Sequence, residues 1–341
     1  MIKDKQNPIL VDVWRGDLIE SRHRGSICVV NQMGETIFSS GNIEKPVYAR
    51  SSMKLIQALP LLDSGAAAEL KLSTEQICLA CSSHTGETIH TEAVGQWLSS
   101  LGMAESNLEC GIHDPNDFLA NKKLLASGQS ASQLHNNCSG KHTGFLSLAN
   151  HQGFDAEGYI HVDHPLQKMI TNAIAEECQV ELDEQKAALD GCSIPLFAVP
   201  LKNVARAYAR FTITGSGRRE KSRQKILQSI CKHPLLIAGN GRFCSRIIGL
   251  SDHSVVTKTG AEGYYIAVLR DQRLGIAIKI EDGEKRASEV AMATLLRHFS
   301  TNERFVELLS IDERVVQYNA AGRMIGSIQP SQHLLSELKN T

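Results

Sequence analysis

The sequence has 341 residues, of which 42% are hydrophobic and 21% are charged, and its formal net charge is −1. A chain of this length buries a large core and forms one large domain or two closely joined ones. The balanced charge excludes the strongly basic surface expected of a protein that binds nucleic acid or an anionic membrane.

The N-terminal residues 1–7 are polar, and no apolar run approaches the roughly 18 residues of a membrane span. The nine cysteines are an odd number in a long chain, which argues against a disulfide framework. We therefore expect a cytoplasmic protein with reduced, mostly buried cysteines. Cys78 and Cys81 form a C-x-x-C within an apolar run, which favours core packing over redox or metal chemistry.

The first predicted element in chain order is a β-hairpin, formed by residues 26–31 and 36–40 around a turn. A mainly helical region extends to about residue 240, with apolar residues at helical spacing in 52–62, 91–101, 166–178 and 222–231. The last third predicts three strands and an amphipathic helix, at 254–258, 264–269, 274–280 and 287–299.

This order predicts an α+β fold whose antiparallel sheet is built from both ends of the chain. We expect a single domain, residues 1–341, with a sheet lobe at about 8–50 and 245–300. The helical lobe is expected at about 51–244.

Ser51-Ser52-Met53-Lys54 is an S-x-x-K motif at the start of a predicted helix. Residues three apart on a helix share a face, so Lys54 can accept the proton of the Ser51 hydroxyl if burial lowers the pKa of the amine. The alternative is a capping serine beside a surface lysine. The start of the helix also offers backbone N–H groups for an oxyanion.

Lys258-Thr259-Gly260 is a K-T-G motif that ends a predicted strand. Penicillin-recognising enzymes pair S-x-x-K with K-T-G on one active site. Gly260 allows a substrate to lie against the strand edge, and the N–H of Ala261 can complete an oxyanion hole. The two motifs in this order indicate a serine hydrolase more strongly than either motif alone.

Two further segments carry reactive side chains. Residues 81–87 contain Ser82, Ser83 and His84, and either serine can supply a second hydroxyl or simply cap a helix. Residues 136–144 contain Cys138, and Asp190-Gly191-Cys192 follows about fifty residues later. These side chains can gather around zinc, although the spacing alone also fits buried structural cysteines or a thiol nucleophile at Cys138.

Together these segments resemble the Rhizobium etli-type L-asparaginases, also called the asparaginase II family, from about residue 8 to residue 300. The matching segments are Glu20–Gly25, Arg50–Lys54, Cys81–His84, Asn137–His142, Asp190–Cys192 and Lys258–Gly260. The resemblance implies a β-lactamase/glutaminase-like fold and hydrolysis of L-asparagine to L-aspartate and ammonia.

By the same resemblance, Ser51 is the nucleophile, Lys54 is its base, and Ser83 and Lys258 form a second Ser–Lys pair. The family also implies a zinc ion bound by Cys138, Lys141 and Cys192, with Asp190 close by. The candidates for binding the charged ends of the substrate are this zinc ion, Arg50, Asn137 and His142.

Four alternatives to this amidohydrolase stay open at this point. A serine-dependent glutaminase differs by one methylene of pocket length. The other three alternatives are a penicillin-recognising hydrolase, a non-catalytic ligand sensor on the same scaffold, and a thiol hydrolase whose nucleophile is Cys138. We expect a homodimer, because closed twofold assemblies are the commonest.

Overall fold

The computed structural model describes residues 6–341, which form two compact units. The sheet unit comprises the described residues through Ser52, together with Ala198–Ile213 and Leu250–Thr341. The helical unit comprises Met53–Phe197 and Thr214–Gly249. Residues 1–5, part of the polar N-terminal segment noted in the sequence, lie outside the described residues.

The strands are β1 Ile9–Arg15, β2 Leu18–Asn31, β3 Thr36–Ser40, β4 Pro46–Tyr48, β5 Ala188–Leu189, β6 Pro195–Leu196, β7 Ala198–Pro200, β8 Val255–Thr259, β9 Tyr264–Leu269, β10 Leu274–Ile280, β11 Val315–Tyr318 and β12 Met324–Pro330. The α-helices are α1 Lys54–Gln57, α2 Leu59–Asp63, α3 Ala66–Glu69, α4 Thr74–Ala80, α5 Thr88–Ser100, α6 Phe118–Ala126, α7 Ser139–Gln152, α8 Pro165–Cys178, α9 Leu201–Arg210, α10 Arg218–Lys232, α11 Pro234–Ala238, α12 Phe243–Leu250, α13 Lys285–Phe299, α14 Glu303–Leu308, α15 Ser310–Glu313 and α16 Gln332–Lys339. Within residues 6–341 there are also four short 3₁₀ turns, at Arg50–Met53, Glu105–Asn107, Gln133–His135 and Glu184–Lys186.

The main sheet is antiparallel and has the strand order β11-β12-β1-β2-β10-β9-β8, with β3 also paired to β2. Strand β12 pairs with β1, so that Val11 lies opposite Pro330. The C-terminal residues, for which the sequence predicted no role, therefore complete the sheet at β1.

The core of the sheet unit surrounds β9 and β10. Every residue of β9 is buried, and all residues of β10 except Lys279 are buried. Successive strand residues point to opposite faces, so both faces must be covered. Helices α9 and α13 both pack against these two strands. Gly275 lets β10 approach α9 closely, because a Cβ atom there would overlap the backbone at Ala205 and Ala209.

The helical unit is organised around α7, in which residues 139–149 are all buried. Helices α2, α3, α4 and α5 pack against α7, and α10 packs against α2 and α4. A buried ion pair joins α8 to α10, with Arg223 Nη2 2.7 Å from Glu177 Oε1. Because both charges are removed from water, each depends on the other for compensation.

The structure confirms the predicted α+β class, the antiparallel sheet from both chain ends and the helical unit. All nine cysteines are buried, in line with the prediction. Across residues 6–341, no helix is both long enough and apolar enough to span a bilayer. The division into a single domain stays a prediction, and residues 198–213 lie in the sheet unit although the sequence suggested the helical lobe.

The single helix predicted over residues 52–62 is wrong. The chain instead forms a 3₁₀ turn at Arg50–Met53, then α1, then α2. Pro60 lacks a backbone N–H and restricts the residue before it, so one continuous helix cannot pass through this point.

Replacing Gly275 with alanine tests the close approach of β10 to α9. We expect Gly275→Ala to lower the free energy of unfolding by about 1–3 kcal/mol, because the new methyl group would force two backbones apart. Urea unfolding followed by circular dichroism measures the loss. Gly95→Ala is the matched control, because its Cβ would meet only Leu134 at 3.8 Å and alanine favours the helix. Equal stability of the two variants would contradict the packing argument.

Candidate active site

In the sheet unit, Ser51 lies on the 3₁₀ turn Arg50–Met53 and is half-buried. Arg50, directly before it, has a φ of 52°, in the left-handed region that non-glycine residues seldom adopt. Such backbone conformations concentrate at functional sites, where the surrounding structure holds them. The turn therefore presents Ser51 from a constrained backbone.

Two hydrogen bonds of Ser52 hold this turn in place. The Ser52 hydroxyl donates to the carbonyl oxygen of Lys258 at 3.1 Å. The buried phenol of Tyr208, on α9, donates to the carbonyl oxygen of Ser52. The turn that carries Ser51 is thus attached to both β8 and α9.

The K-T-G motif ends β8 as predicted, and its glycine is required by close contact. A Cβ atom on Gly260 would lie 2.5 Å from the Ala49 oxygen and 2.9 Å from Ser52 Oγ. Lys258 is fully buried, and its Nζ donates to the Thr259 oxygen at 2.8 Å. Ala261, whose N–H was predicted to serve an oxyanion hole, lies at an exposed bend after the strand.

In the helical unit, the ammonium group of Lys54 is completely buried. It donates hydrogen bonds to the Ser82 oxygen, to Ser83 Oγ at 3.0 Å and to the Asn137 oxygen at 3.4 Å. An ammonium group has three N–H donors, and here each finds an acceptor. The structure therefore brings Lys54 and Ser83 together, whereas the sequence assigned them to different Ser–Lys pairs.

His84 attaches the Ser83 loop to the start of α7. Its Nδ1 accepts the N–H of Gly86 at 3.2 Å, and its Nε2 lies 2.9 Å from Ser139 Oγ. Complete burial, together with the neighbouring His90 ring, lowers the pKa of His84 well below its usual value. With Nδ1 as the acceptor, the neutral ring donates through Nε2, and Ser139 in turn donates to the Leu134 oxygen at 3.0 Å.

The second cluster in the helical unit consists of Cys138, Lys141, Asp190 and Cys192. Lys141 Nζ lies 2.8 Å from Cys192 Sγ, and Cys192 Sγ lies 3.7 Å from Asp190 Oδ2. Cys192 sits in the turn between β5 and β6, next to Ser193 with a φ of 70°. The predicted group is therefore assembled from two segments about fifty residues apart.

The charges within this cluster depend on one another. A hydrogen bond with Cys192 lowers the pKa of the Cys138 thiol, against the effect of burial, and the Lys54 and Lys141 cations add to the lowering. The same hydrogen bond and burial raise the pKa of Cys192. Burial alone would lower the pKa of Lys141, but the negative charge on Cys192, Cys138 and Asp190 outweighs it and raises that pKa.

The donor set of this cluster fits zinc chemically. Two sulfur atoms and a nitrogen are donors that zinc binds, and metal binding displaces the protons of thiol and amine groups. No group of three or more histidine, cysteine, aspartate and glutamate side chains within residues 6–341 is arranged for a metal ion. The structure thus does not confirm the zinc prediction, and any site here would need Lys141 as a ligand.

The remaining predicted residues, Asn137 and His142, flank this cluster. Asn137 Oδ1 lies 2.9 Å from Cys138 Sγ, and the Asn137 N–H donates to His113 Nε2 at 2.8 Å. His142 is fully buried, with Nδ1 2.7 Å from the Tyr159 hydroxyl, and its Nε2 has no hydrogen-bond partner in the described part of the chain. Substrate binding by either residue stays a prediction.

Ser52, His84 and Tyr208 were not among the predicted site residues. Ser52 and His84 lie within the predicted motifs, so their positions in the sequence could have indicated a role at the site. Tyr208 had no such signal, because its hydrogen bond joins residues 156 positions apart.

Solved structures similar to this chain include a β-lactamase from Mycobacterium bovis and the D-alanine carboxypeptidase AmpC from Burkholderia cenocepacia. The first has a TM-score of 0.41 and 10% identity, and the match covers 81% of this chain and 94% of that chain. The second has a TM-score of 0.38 and 12% identity, with 79% and 93% covered.

No curated protein sequence matches the chain. The sequence model of the family described as L-asparaginase II matches residues 11–330, nearly the whole chain and beyond the limit of the resemblance seen in the sequence. This confirms the predicted family, although the narrower Rhizobium etli type stays a prediction. The match indicates an enzyme that hydrolyses an amide of a small molecule, and the chain belongs to the L-asparaginase II family.

Proposed function

We propose that this protein is an L-asparaginase that hydrolyses L-asparagine to L-aspartate and ammonia through an acyl-enzyme on Ser51. The observation that carries the proposal is the completely buried ammonium group of Lys54, three residues after Ser51, in a chain of this family. Lys54 Nζ also lies 3.0 Å from the hydroxyl of Ser83, and this contact supports proton transfer through a network of serine and lysine side chains.

In the proposed first step Lys54 is in its neutral amine form, and Ser51 Oγ forms a bond to the side-chain amide carbon of asparagine while its proton passes to Lys54 Nζ. The tetrahedral intermediate collapses, the C–N bond breaks, and the proton returns to the leaving nitrogen, which departs as ammonia. Water then attacks the ester, giving aspartate and the free Ser51 hydroxyl. The backbone N–H groups of Ser51 and Ala261 are the candidates for holding the oxyanion in both steps.

The contact between Lys54 and Ser83 gives the proton a second oxygen within reach. The Ser83 hydroxyl accepts from Lys54 and can donate in turn, so it can carry a proton between the lysine and the leaving nitrogen. The predicted pairing of Ser83 with Lys258 belongs to the same proposal, in which Lys258 supplies positive charge near the developing anion.

The zinc proposal rests on Cys138, Lys141 and Cys192, which would hold the ion, with Asp190 beside them. When bound, zinc would supply positive charge for binding the substrate carboxylate. Arg50, Asn137, Gly260 and His142 are the other proposed substrate-binding residues. A homodimer and a cytoplasmic location stay predictions from the sequence.

Replacing Ser51 with alanine tests the nucleophile. We expect Ser51→Ala to lower kcat for ammonia release from L-asparagine by about 10⁴-fold or more, since the covalent step is lost. Ser52→Ala is the matched control and should lose roughly 30-fold or less, because it removes one neutral hydrogen bond to the Lys258 oxygen. A larger loss of kcat in Ser52→Ala than in Ser51→Ala would make Ser52 the nucleophile. A higher kcat/KM of the wild type on L-glutamine than on L-asparagine would favour a glutaminase.

Replacing Lys54 separates its charge from its basicity. Lys54→Arg retains a cation that does not release its proton at ordinary pH, and Lys54→Met removes the charge at similar length. We expect both variants to lower kcat by about 10²–10⁴-fold, the usual contribution of a general base. Circular dichroism confirms folding before the assay. Wild-type kcat in Lys54→Arg would contradict the role as base and leave only an electrostatic one.

Elemental analysis tests the metal proposal. We expect the purified protein to contain close to one zinc ion per chain, and Cys192→Ala to lose it, because a thiolate ligand is removed. Cys231→Ala is the matched control, since Cys231 is also buried but lies on α10. Retention of zinc by Cys192→Ala would contradict this ligand set, whereas full activity without zinc would limit the site to a structural role.

A further inference from the structure

A cavity of about 440 Å³ in the helical unit is lined by four cationic side chains: Lys71, Arg218, Lys221 and Lys225. Among the residues that the structure describes, no acidic residue lines this cavity. In the described part of the chain, none of the four forms an ion pair with a carboxylate, although the whole protein carries a net charge of −1. We name it the cationic pocket.

The two faces of α10 differ in whether their cationic side chains form ion pairs with carboxylates. On the inner face, Arg219 and Arg223 are compensated by Asp63, Glu176 and Glu177 at 2.7–3.0 Å. The face toward the cationic pocket carries a run of polar side chains at helical spacing without any acid, namely Arg218, Lys221, Ser222 and Lys225. Like charges one turn apart repel each other, and cations in the first turn oppose the helix dipole. An anion in the pocket would offset both effects.

Lys71 enters the pocket from a backbone position that favours glycine. It follows α3 with a φ of 51°. The Lys71 N–H bonds to the Ala68 oxygen at 3.1 Å, and the Leu72 N–H bonds to the Ala67 oxygen at 2.9 Å, which together make a Schellman motif. Glycine adopts this conformation without strain, so a lysine here adds strain together with a fourth cation.

The floor of the pocket is apolar, because Leu62, Leu72 and Ile77 line it. Arg218 is oriented by a hydrogen bond from its Nη1 to the Asp63 oxygen at 2.9 Å. A volume of about 440 Å³ falls within the range of pockets that hold small organic ligands. Clustered lysine and arginine side chains over an apolar floor match a ligand with several phosphate charges and a flat organic part.

We propose that the cationic pocket binds a small polyphosphate anion, either a nucleoside triphosphate or inorganic polyphosphate. The pocket lies entirely in the helical unit, and the proposal is independent of asparagine hydrolysis. Ile77 lies on α4, six residues before Ser83, and Leu62 lies on α2, eight residues after Lys54.

Isothermal titration calorimetry on the full chain tests the proposal, with ATP, inorganic triphosphate and adenosine as the three titrants at low salt. We expect ATP and triphosphate to bind, adenosine to bind far more weakly, and affinity to fall as salt is added. Tighter binding of ATP than of triphosphate assigns the ligand to nucleotides through the apolar floor. Equal binding assigns it to inorganic polyphosphate.

The decisive variant is Lys71→Gly, because it removes a cation and relieves backbone strain at once. We expect its melting temperature to equal or exceed that of the wild type, and its affinity for ATP to fall roughly 5- to 10-fold. Lys225→Ala should weaken binding to a similar degree. Asparaginase activity, measured in parallel without ATP, should stay at the wild-type level in both variants.

Two matched controls separate a defined site from general attraction. Lys232→Ala removes an exposed lysine from the same helix outside the pocket, and Gln179→Gly relieves the same strained conformation at the end of α8. Both should bind ATP as the wild type does. The proposal is overturned if neither ATP nor triphosphate binds at millimolar concentration, or if Lys232→Ala weakens binding as much as Lys71→Gly.

Discussion

The ammonium group of Lys54 has no exposed surface, so each of its N–H groups must find an acceptor inside the protein. Its three acceptors come from Ser82, Ser83 and Asn137, which belong to two separate segments of the helical unit. The beginning of α1, the loop after α4 and the residues before α7 are therefore held at one point. Removing the Lys54 side chain would leave these buried acceptors without a donor, so Lys54 supports the architecture of this unit as well as its proposed chemistry.

A second constraint lies one turn into α7. Lys141 is as deeply buried as Lys54, but its partner is the sulfur of Cys192 rather than oxygen atoms. The two thiols of this cluster differ, because the hydrogen bond between them lowers the pKa of Cys138, whereas that hydrogen bond and burial raise the pKa of Cys192. The helical unit thus contains two buried lysines with different partners: Lys54 donates to oxygen atoms, and Lys141 lies beside a sulfur atom.

The cationic pocket shows the opposite arrangement of charge. Arg219 and Arg223 form ion pairs with carboxylates of α8 and with Asp63, whereas Lys221 and Lys225 on the outer face of α10 form no ion pair with a carboxylate of residues 6–341. The proposed ligand is therefore inferred from the distribution of charged side chains along α10 and not from the nearly neutral net charge of the protein. The net charge of −1 is a sum over the whole chain, so it does not reveal the four cationic side chains that lie together at this pocket.

The sequence by itself determined the α+β class, the strands around residues 26–40 and 255–280, the buried cysteines and the family. These features depend on local periodicity and on short motifs whose residues are neighbours in the chain. Only the tertiary structure decided that Lys54 contacts Ser83, that Tyr208 supports Ser52, that β12 completes the sheet and that Lys71 shares a pocket with α10. Each of these contacts joins residues far apart in the chain, where burial and hydrogen-bond geometry select the partner and no spacing rule applies.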